Sequence, residues 1–303
     1  MRKEVVIALG NFDGVHIGHQ VLIRQGLDSA RAMGMNFLAL LFMPHPQRVL
    51  YPERGFCYLT DLDEKRRILS EMGTDEVRVY PFTREFAALS PEEFVVQVLA
   101  PLSPAHVVVG YNYTFGRRAQ GGAQELMRMG QNWGFSVDVV PEQRLDGVRV
   151  SSSDIRQALR QGHVEVAARM LGRLYRLRGC VEKGCQRGRE LGFPTANMRV
   201  SAEAVVPRMG VYAARVRRQG KMWGALVNIG FNPTFAQQLD TQKDLSIEVH
   251  LLDFTGEIYG EFLAVDFLAR IRSEKKFESG AQLAEQIRSD VVAARAVLGS
   301  YEG

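Results

Sequence analysis

Cysteine is scarce in this chain. Cys57, Cys180 and Cys185 are the only three in 303 residues, too few for a disulfide framework. The five-residue step from Cys180 to Cys185, with no His or Cys companion nearby, is poor zinc spacing. Long apolar runs are also lacking. None reaches membrane-spanning length, and the run from Val5 to Leu9 is too short for the apolar region of a signal peptide and is followed by no small-residue cleavage site. A reducing cytoplasm is the consistent home, with no membrane partner. There is no internal repeat and no low-complexity segment. Charge of one sign is in short supply too: the net charge is +4, and residues 1–160 hold 18 Lys and Arg against 18 Asp and Glu. The surplus falls in 161–303, with 20 against 16, and the stretch 169–189 carries seven basic residues against Glu182. The basic charge is therefore local. What is present, 46% hydrophobic and 24% charged residues, is an ordinary globular composition for one large domain or two of medium size.

The first half alternates short apolar runs with helix-like stretches. The runs 5–9, 37–42, 77–80, 106–110 and 135–140 are rich in β-branched and aromatic residues, and the segments between them are long enough for helical crossovers. Continuous apolarity means burial on both faces, so this half is expected to be a doubly wound α/β domain with a parallel sheet. Ser90-Pro91-Glu92-Glu93 reads as a capped helix start whose apolar stripe continues through Phe94, Val98 and Leu102. A helical stretch over 154–171 bridges the halves. From about Leu174 polar and apolar residues alternate, as in 175–178, 211–216, 246–251 and 262–267, with glycines between the runs. This predicts a small antiparallel β-barrel, followed by a C-terminal helix with Leu283, Ile287, Val291, Ala294 and Leu298 at helical spacing. The expected boundaries are 1–160 for the first domain, 161–174 for a helical linker and 175–303 for the barrel.

Two constellations carry chemistry. The first strand runs into Gly10-Asn11-Phe12-Asp13-Gly14-Val15-His16-Ile17-Gly18-His19, where glycines allow phosphate to approach the backbone and a helix N-terminus offers unpaired N–H groups. His16 and His19, three apart, are expected to point the same way from a first helical turn and to stabilise charge during in-line displacement at a phosphate. The bland alternative is a turn with two surface histidines. The Gly10–Gly14 spacing matches neither the dinucleotide fingerprint nor the Walker loop. Gly110-Tyr111-Asn112-Tyr113 and Ser151-Ser152-Ser153-Asp154-Ile155-Arg156 would fall beyond strand ends, where ligands bind in open sheets. The serines and Arg156 suit triphosphate oxygens, and plain helix capping by Ser152 or Ser153 fits them equally. Met43-Pro44-His45-Pro46 is either a pocket wall or a stiff turn.

In the second half, the 184–197 segment joins a basic glycine loop to a fixed turn. Arg187 and Arg189 bring charge, while Thr195 and Asn197 offer hard oxygens suited to Mg²⁺ shared with nucleotide phosphates; a merely solvated hairpin loop is the alternative. Glu248 shares a strand face with Ser246 and His250, opposite Ile247, Val249 and Leu251. Strand parity leaves open whether it faces water or acts as a general base toward a substrate hydroxyl.

The motifs GNFDGVHIGHQ, MPHPQRVL, FAALSPEEFV, GYNYTFG, SSSDIR, LGRLYRLRG, RGRELGFPTAN, GVYAARV, NIGFNPTF, IEVHLLDF, YGEFL, IRSEKKF and QIRSD follow one another from residue 10 to about 295. In them the chain closely resembles the bacterial bifunctional riboflavin kinase/FMN adenylyltransferase (FAD synthetase) family. The resemblance implies that the first domain transfers AMP from ATP to FMN, giving FAD and pyrophosphate, and that the barrel phosphorylates riboflavin with Mg–ATP. It implies catalytic roles for His16, His19 and Glu248. ATP would bind in the first domain at Gly10, Phe12, Asp13, Gly14, Asn112, Ser151, Ser152, Ser153 and Arg156. Flavin would lie beside Pro44 and Pro46 in the first domain and beside Arg272 and Glu274 in the second. Gly188, Arg189, Gly192 and Pro194 would hold the kinase ATP, and Thr195 and Asn197 the Mg²⁺. Ser153 stands where the family commonly has Thr, and residues 110–113 are less acidic than in many relatives. The partners implied are riboflavin, FMN and ATP, with a weak homo-oligomer left open. A nucleic-acid module is disfavoured, because the basic cluster lacks interleaved aromatics for stacking and no K-M-S-K-S motif accompanies the H-x-G-H. A flavin carrier without turnover, or a chain with one activity lost, would have to explain the intact H-x-G-H and PTAN motifs.

Overall fold

The computed structural model describes residues 4–183, 192–231 and 245–301. The chain divides into two compact units, Met1–Ser152 and Ser153–Gly303.

In the first unit five parallel strands form one sheet: β1 (Val5–Leu9), β2 (Asn36–Met43), β3 (Glu76–Pro81), β4 (Pro104–Gly110) and β7 (Ser136–Val140), in the order β3-β2-β1-β4-β7. Two small ribbons pair β5 (Thr114–Phe115) with β6 (Gly121–Gly122), and β8 (Arg144–Leu145) with β9 (Val148–Arg149). The apolarity of the central strands is continuous because each is buried on both faces. Val6 and Ala8 of β1 belong to one apolar cluster with Leu22, Ile23 and Leu27 of α1 (Ile17–Met33) and Ile68 and Leu69 of α3 (Leu62–Glu71), which follows the short α2 (Pro46–Leu50). Ile7 and Leu9 belong to the opposite cluster, with Phe94 of α4 (Pro91–Phe94) and Leu126 and Met129 of α5 (Ala123–Trp133).

The Ser90 cap is a full capping box: Glu93 N–H donates to Ser90 Oγ at 3.1 Å, and Ser90 N–H to Glu93 at 2.7 Å. The helix does not continue regularly, however. Residues Val95–Leu99 form a π turn and Ala100–Leu102 a 3₁₀ turn, so Leu102 lies partly buried at the edge of the cluster. The order of β1 and β4 about the centre creates a switch point, where loops leave the strand ends in opposite directions and a crevice opens.

The single helix expected over 154–171 is two helices, α6 (Ser152–Gln161) and α7 (Val164–Leu171). Gly162 breaks them. Its φ is +87°, and a Cβ there would meet Arg270 Cδ at 2.9 Å, so only glycine makes this elbow without strain. Glu165 of α7 accepts from the Arg270 backbone N–H at 3.2 Å, and Arg208 N–H donates to the Leu159 carbonyl at 2.9 Å.

The rest of the second unit is a closed antiparallel barrel. Its strands are β10 (Tyr175–Glu182), β11 (Ala196–Val200), β12 (Gly210–Arg218), β13 (Lys221–Phe231), β14 (Leu245–Leu251) and β15 (Phe262–Arg272), in the order β10-β11-β14-β13-β12-β15. Tyr175, Tyr212 and Phe267 pack together with no appreciable exposure, and the two hydroxyls donate to the carbonyls of Val205 and Arg208. Burying a tyrosine with its hydroxyl satisfied keeps its apolar contribution without the cost of an orphan donor. The C-terminal helix Gly280–Ser300 covers Val211, Ala213 and Leu226 with Ala294. Among the described residues no helix is long and apolar enough to cross a membrane.

Candidate active sites

The loop after β1 is held by its own backbone and by the segment 58–65. Phe12 and Val15 have φ of +46° and +40°, conformations that non-glycine residues rarely adopt, and both side chains are completely buried. Gly10 makes room for this turn, since a Cβ there would lie 3.0 Å from the Phe12 ring. The Asp13 carboxylate is buried and accepts from the N–H groups of Leu59 at 3.1 Å and Thr60 at 3.4 Å. Gly14 N–H donates to Thr60 Oγ1 at 3.1 Å, Lys65 Nζ to the Asn11 carbonyl at 2.9 Å, and Ser152 Oγ to the Asp13 carbonyl at 2.8 Å.

His16 is not in the first turn of α1 but caps it: its Nδ1 accepts from His19 N–H at 3.3 Å, the role that Asn or Asp fills elsewhere. With Nδ1 an acceptor, the proton of the neutral ring lies on Nε2. The His19 ring stacks on it with centroids 3.6 Å apart, and the Phe12 ring meets His19 edge-on at 5.4 Å.

Above this loop, at the β1/β4 switch point, a cavity of about 1090 Å³ opens. Gly10, Phe12, Asp13, His19, Pro46, Asn112 and Ser152 line it; His16, Gly14, Pro44 and Ser151 do not. Ser153 and Arg156, both on α6, belong to the second unit. One wall is aromatic, with the Phe42 ring in contact with those of Phe82, Phe86 and Phe94, and Tyr113 stacked on Phe115. Burial pushes the Tyr113 hydroxyl well above the usual tyrosine range, so it stays neutral. Sequence reasoning missed several lining residues. Asn11 also lines the cavity, and its Oδ1 is buried with no hydrogen-bond partner among the described residues. Arg84, Arg117 and Arg118 stand on two abutting exposed loops at the rim, joined by Arg117 N–H to the Leu89 carbonyl at 2.6 Å. A pair of adjacent arginines after a glycine was the available signal.

The second site is a row across three strands. Asn197 of β11 and Asn228 of β13 are both register partners of Glu248 in β14. Ile247, Val249 and Leu251 are buried, while Ser246, Glu248 and His250 share the other, partly open face. Ser246 Oγ donates to Glu248 at 3.4 Å. Glu274 joins the group from beyond β15: a Cβ on Gly230 would lie 2.5 Å from Glu274 Oε1 and 3.4 Å from Asn228 Nδ2. Arg272 instead turns to the C-terminal helix, where Nε and Nη2 donate to the buried Asp290 carboxylate at 2.8–3.0 Å. Pro194 and Thr195 line a second cavity of about 320 Å³ together with residues 254–259. His250 Nδ1 is 2.8 Å from the Pro194 carbonyl, and its ring meets Phe193 edge-on at 5.7 Å. Gly192, with φ of +82°, begins this turn; Gly188 and Arg189 lie outside the described residues.

Comparison with known proteins likewise divides the chain into two parts. The family model for FAD synthetase matches residues 1–154, and that for riboflavin kinase matches residues 171–298. Bifunctional riboflavin kinase/FMN adenylyltransferases are similar along nearly the whole chain. The Listeria monocytogenes protein is 38% identical over 98% of this chain and 93% of its own, that of Bacillus subtilis 37% over 94% and 90%, and that of Escherichia coli K12 36% over 97% and 93%. Among solved structures, a Streptococcus pneumoniae protein described as a macrolide-efflux protein matches with a TM-score of 0.88 at 32% identity, covering 97% of this chain and 95% of its own. With both family matches in order and relatives aligned over both units, the chain belongs to the bacterial bifunctional riboflavin kinase/FMN adenylyltransferase family.

Proposed function

We infer that the chain converts riboflavin to FMN in its barrel and FMN to FAD in its first unit, each step using ATP. The observation that carries this reading is that two separate polar constellations occur in two separate compact units, the first at a cavity lined by His19, Asn112 and Ser152 and the second next to a turn whose Thr195 lines another. The proposed boundaries, 1–160 and 175–303, enclose the residues of each activity apart from the linker over 161–174.

In the first site an oxygen of the FMN phosphate attacks the α-phosphorus of ATP. The bond from that phosphorus to the bridging oxygen breaks, and its electrons leave with pyrophosphate. The nucleophile is already an anion, so no base is required; the site must orient two anions and absorb charge. The Nε2–H of His16, the His19 ring and the amino end of α1 serve the triphosphate. Gly10 and Gly14 let it approach the loop, with Asn112 and the segment from Ser151 to Ser153 and Arg156 completing the contacts. The aromatic wall beside Pro44 and Pro46 takes the flavin ring. A cavity of about 1090 Å³ is large enough for both substrates.

In the barrel, Glu248 takes the proton of the terminal ribityl hydroxyl as that oxygen attacks the γ-phosphorus, and ADP departs with the electrons of the broken bond. Asn228, the register partner of Glu248, and Glu274, near Asn228 at Gly230, orient the ribityl chain. Gly188, Arg189, Gly192 and Pro194 form the loop and turn around ATP. Thr195 and Asn197 would hold Mg²⁺, which when bound offsets the charge of the β- and γ-phosphates. Their hydroxyl and amide oxygens are hard donors of the kind this ion takes, and Mg²⁺ commonly keeps water and phosphate ligands beside one or two protein oxygens. Arg272 acts on the flavin side indirectly, by holding the 273–277 segment through Asp290. The enzyme is taken to be cytoplasmic, which its low cysteine content supports.

The test is a chromatographic time course with riboflavin, ATP and Mg²⁺. His19→Ala should stop the sequence at FMN, and Glu248→Ala should block FMN formation while still converting supplied FMN to FAD. If both folded variants lose both activities, one site per unit is wrong.

A further inference from the structure

The ladder between β11 and β14 ends at Ala196 opposite Val249. One step further its register would place Thr195 opposite His250, and the step after that reaches Pro194, which has no N–H with which to carry a ladder on. The turn that bears Thr195 therefore leaves the sheet where its position matters most. In place of a backbone bond, His250 Nδ1 reaches the Pro194 carbonyl at 2.8 Å, and Phe193 packs edge-on against the imidazole. A carbonyl only accepts, so Nδ1 carries the proton and donates. His250 is two residues from Glu248 on the same face of the same strand.

We propose that His250 is a positioning residue for phosphoryl transfer: it pins the Pro194-Thr195-Ala196-Asn197 turn to the strand that carries the general base, fixing the Mg–ATP side of the barrel relative to Glu248. The proposal rests on the reading of Thr195 and Asn197 as the Mg–ATP turn. A loose turn costs orientation, and a misplacement of about 1 Å is worth on the order of a hundredfold in rate. His250 touches neither the hydroxyl nor the phosphate in this scheme, so its loss falls on Mg–ATP.

The experiment measures riboflavin phosphorylation by the full chain in wild type, His250→Ala, His250→Asn, His250→Gln and Thr195→Ala, with FMN adenylylation and the melting temperature taken on each. Asparagine presents an amide N–H where imidazole Nδ1 stands, whereas the glutamine amide falls near the Nε2 position. His250→Ala and His250→Gln should raise KM for Mg–ATP by about tenfold and lower kcat by about tenfold, on the order of a hundredfold in kcat/KM together, with KM for riboflavin within about twofold of wild type and adenylylation unchanged. His250→Asn should recover most of the Mg–ATP affinity. Equal KM values for the Ala and Asn variants, or an unchanged KM for Mg–ATP with only a lower melting temperature, would overturn the positioning role. Thr195→Ala separates the two layers: if it leaves KM for Mg–ATP alone, the reading of the turn fails, and if it raises that KM while His250→Ala does not, the latch alone fails.

Discussion

At the scale of single residues, Asp13 acts on backbone as much as on any ligand. Its carboxylate has 2% exposure and accepts the N–H groups of Leu59 and Thr60, so Asp13→Ala would leave two buried donors unsatisfied. The expected cost is about 2–4 kcal/mol of stability in the first unit, with FMN adenylylation lost and riboflavin phosphorylation retained. Differential scanning calorimetry with assays of both steps checks it; unchanged stability with lost adenylylation would make Asp13 a ligand contact only. Tyr212 gives a pH test. Burial pushes its hydroxyl up to about 12 from 10, so the folded state keeps the proton while the unfolded chain loses it. Its contribution is complete below pH 10 and is lost as pH rises through about 12. The barrel's melting temperature should decline across that window, and less steeply in Tyr212→Phe. The sequence made His16 and His19 legible because they are neighbours in one loop. It did not reveal that His16 caps α1, because capping depends on the backbone turn that Phe12 and Val15 adopt. Asn228 was hidden for another reason: strand register brings it opposite Glu248, which local spacing does not show, and Glu274, which the family resemblance offers as a flavin contact, has room beside it because Gly230 is bare.

At the scale of elements, the central parallel strands were legible because burial on both faces leaves a continuous apolar run. The barrel strands were legible because burial on one face leaves alternation. The break at Gly162 was not, since it requires knowing that Arg270 fills the space a Cβ would need. The attachment of the C-terminal helix belongs here as well. Its apolar stripe was readable, but its anchor joins Arg272 to Asp290, 18 residues apart, with side-chain exposures of 15% and 2%. Asp290→Ala leaves a guanidinium largely buried and unpaired, which costs about 3–5 kcal/mol. Hydrogen exchange should rise along 280–300 and in the 273–277 segment, with KM for riboflavin increasing. In Asp290→Ala combined with Arg272→Met, the stability should partly return. If the double variant is no more stable than Asp290→Ala, the pair is not what anchors the helix.

At the scale of the molecule, the basic surplus of the second half is partly structural. Arg176 is paired with Asp266 at 2.6 and 2.8 Å, and Arg178 lies over the Phe262 ring at 5.1 Å. Only part of the 169–189 run is therefore left to attract nucleotide phosphates. The riboflavin kinase family match starts at residue 171, yet α7 packs on β10 and β15, buries Val164, Ala167 and Met170, and accepts the Arg270 N–H through Glu165. Each fully buried aliphatic side chain is worth about 1.5–3 kcal/mol, so removing α7 takes away a large share of a typical domain stability of about 5–15 kcal/mol. A fragment of residues 153–303 should therefore fold, phosphorylate riboflavin and stop at FMN, whereas residues 171–303 should melt about 10 °C or more lower or fail to fold, by roughly 2–4 °C per kcal/mol lost in a domain of this size. Circular dichroism melts and FMN yield compare the two. Equal melting and equal turnover would mean that α7 connects the units without supporting the barrel, and that the elbow at Gly162 serves the connection alone.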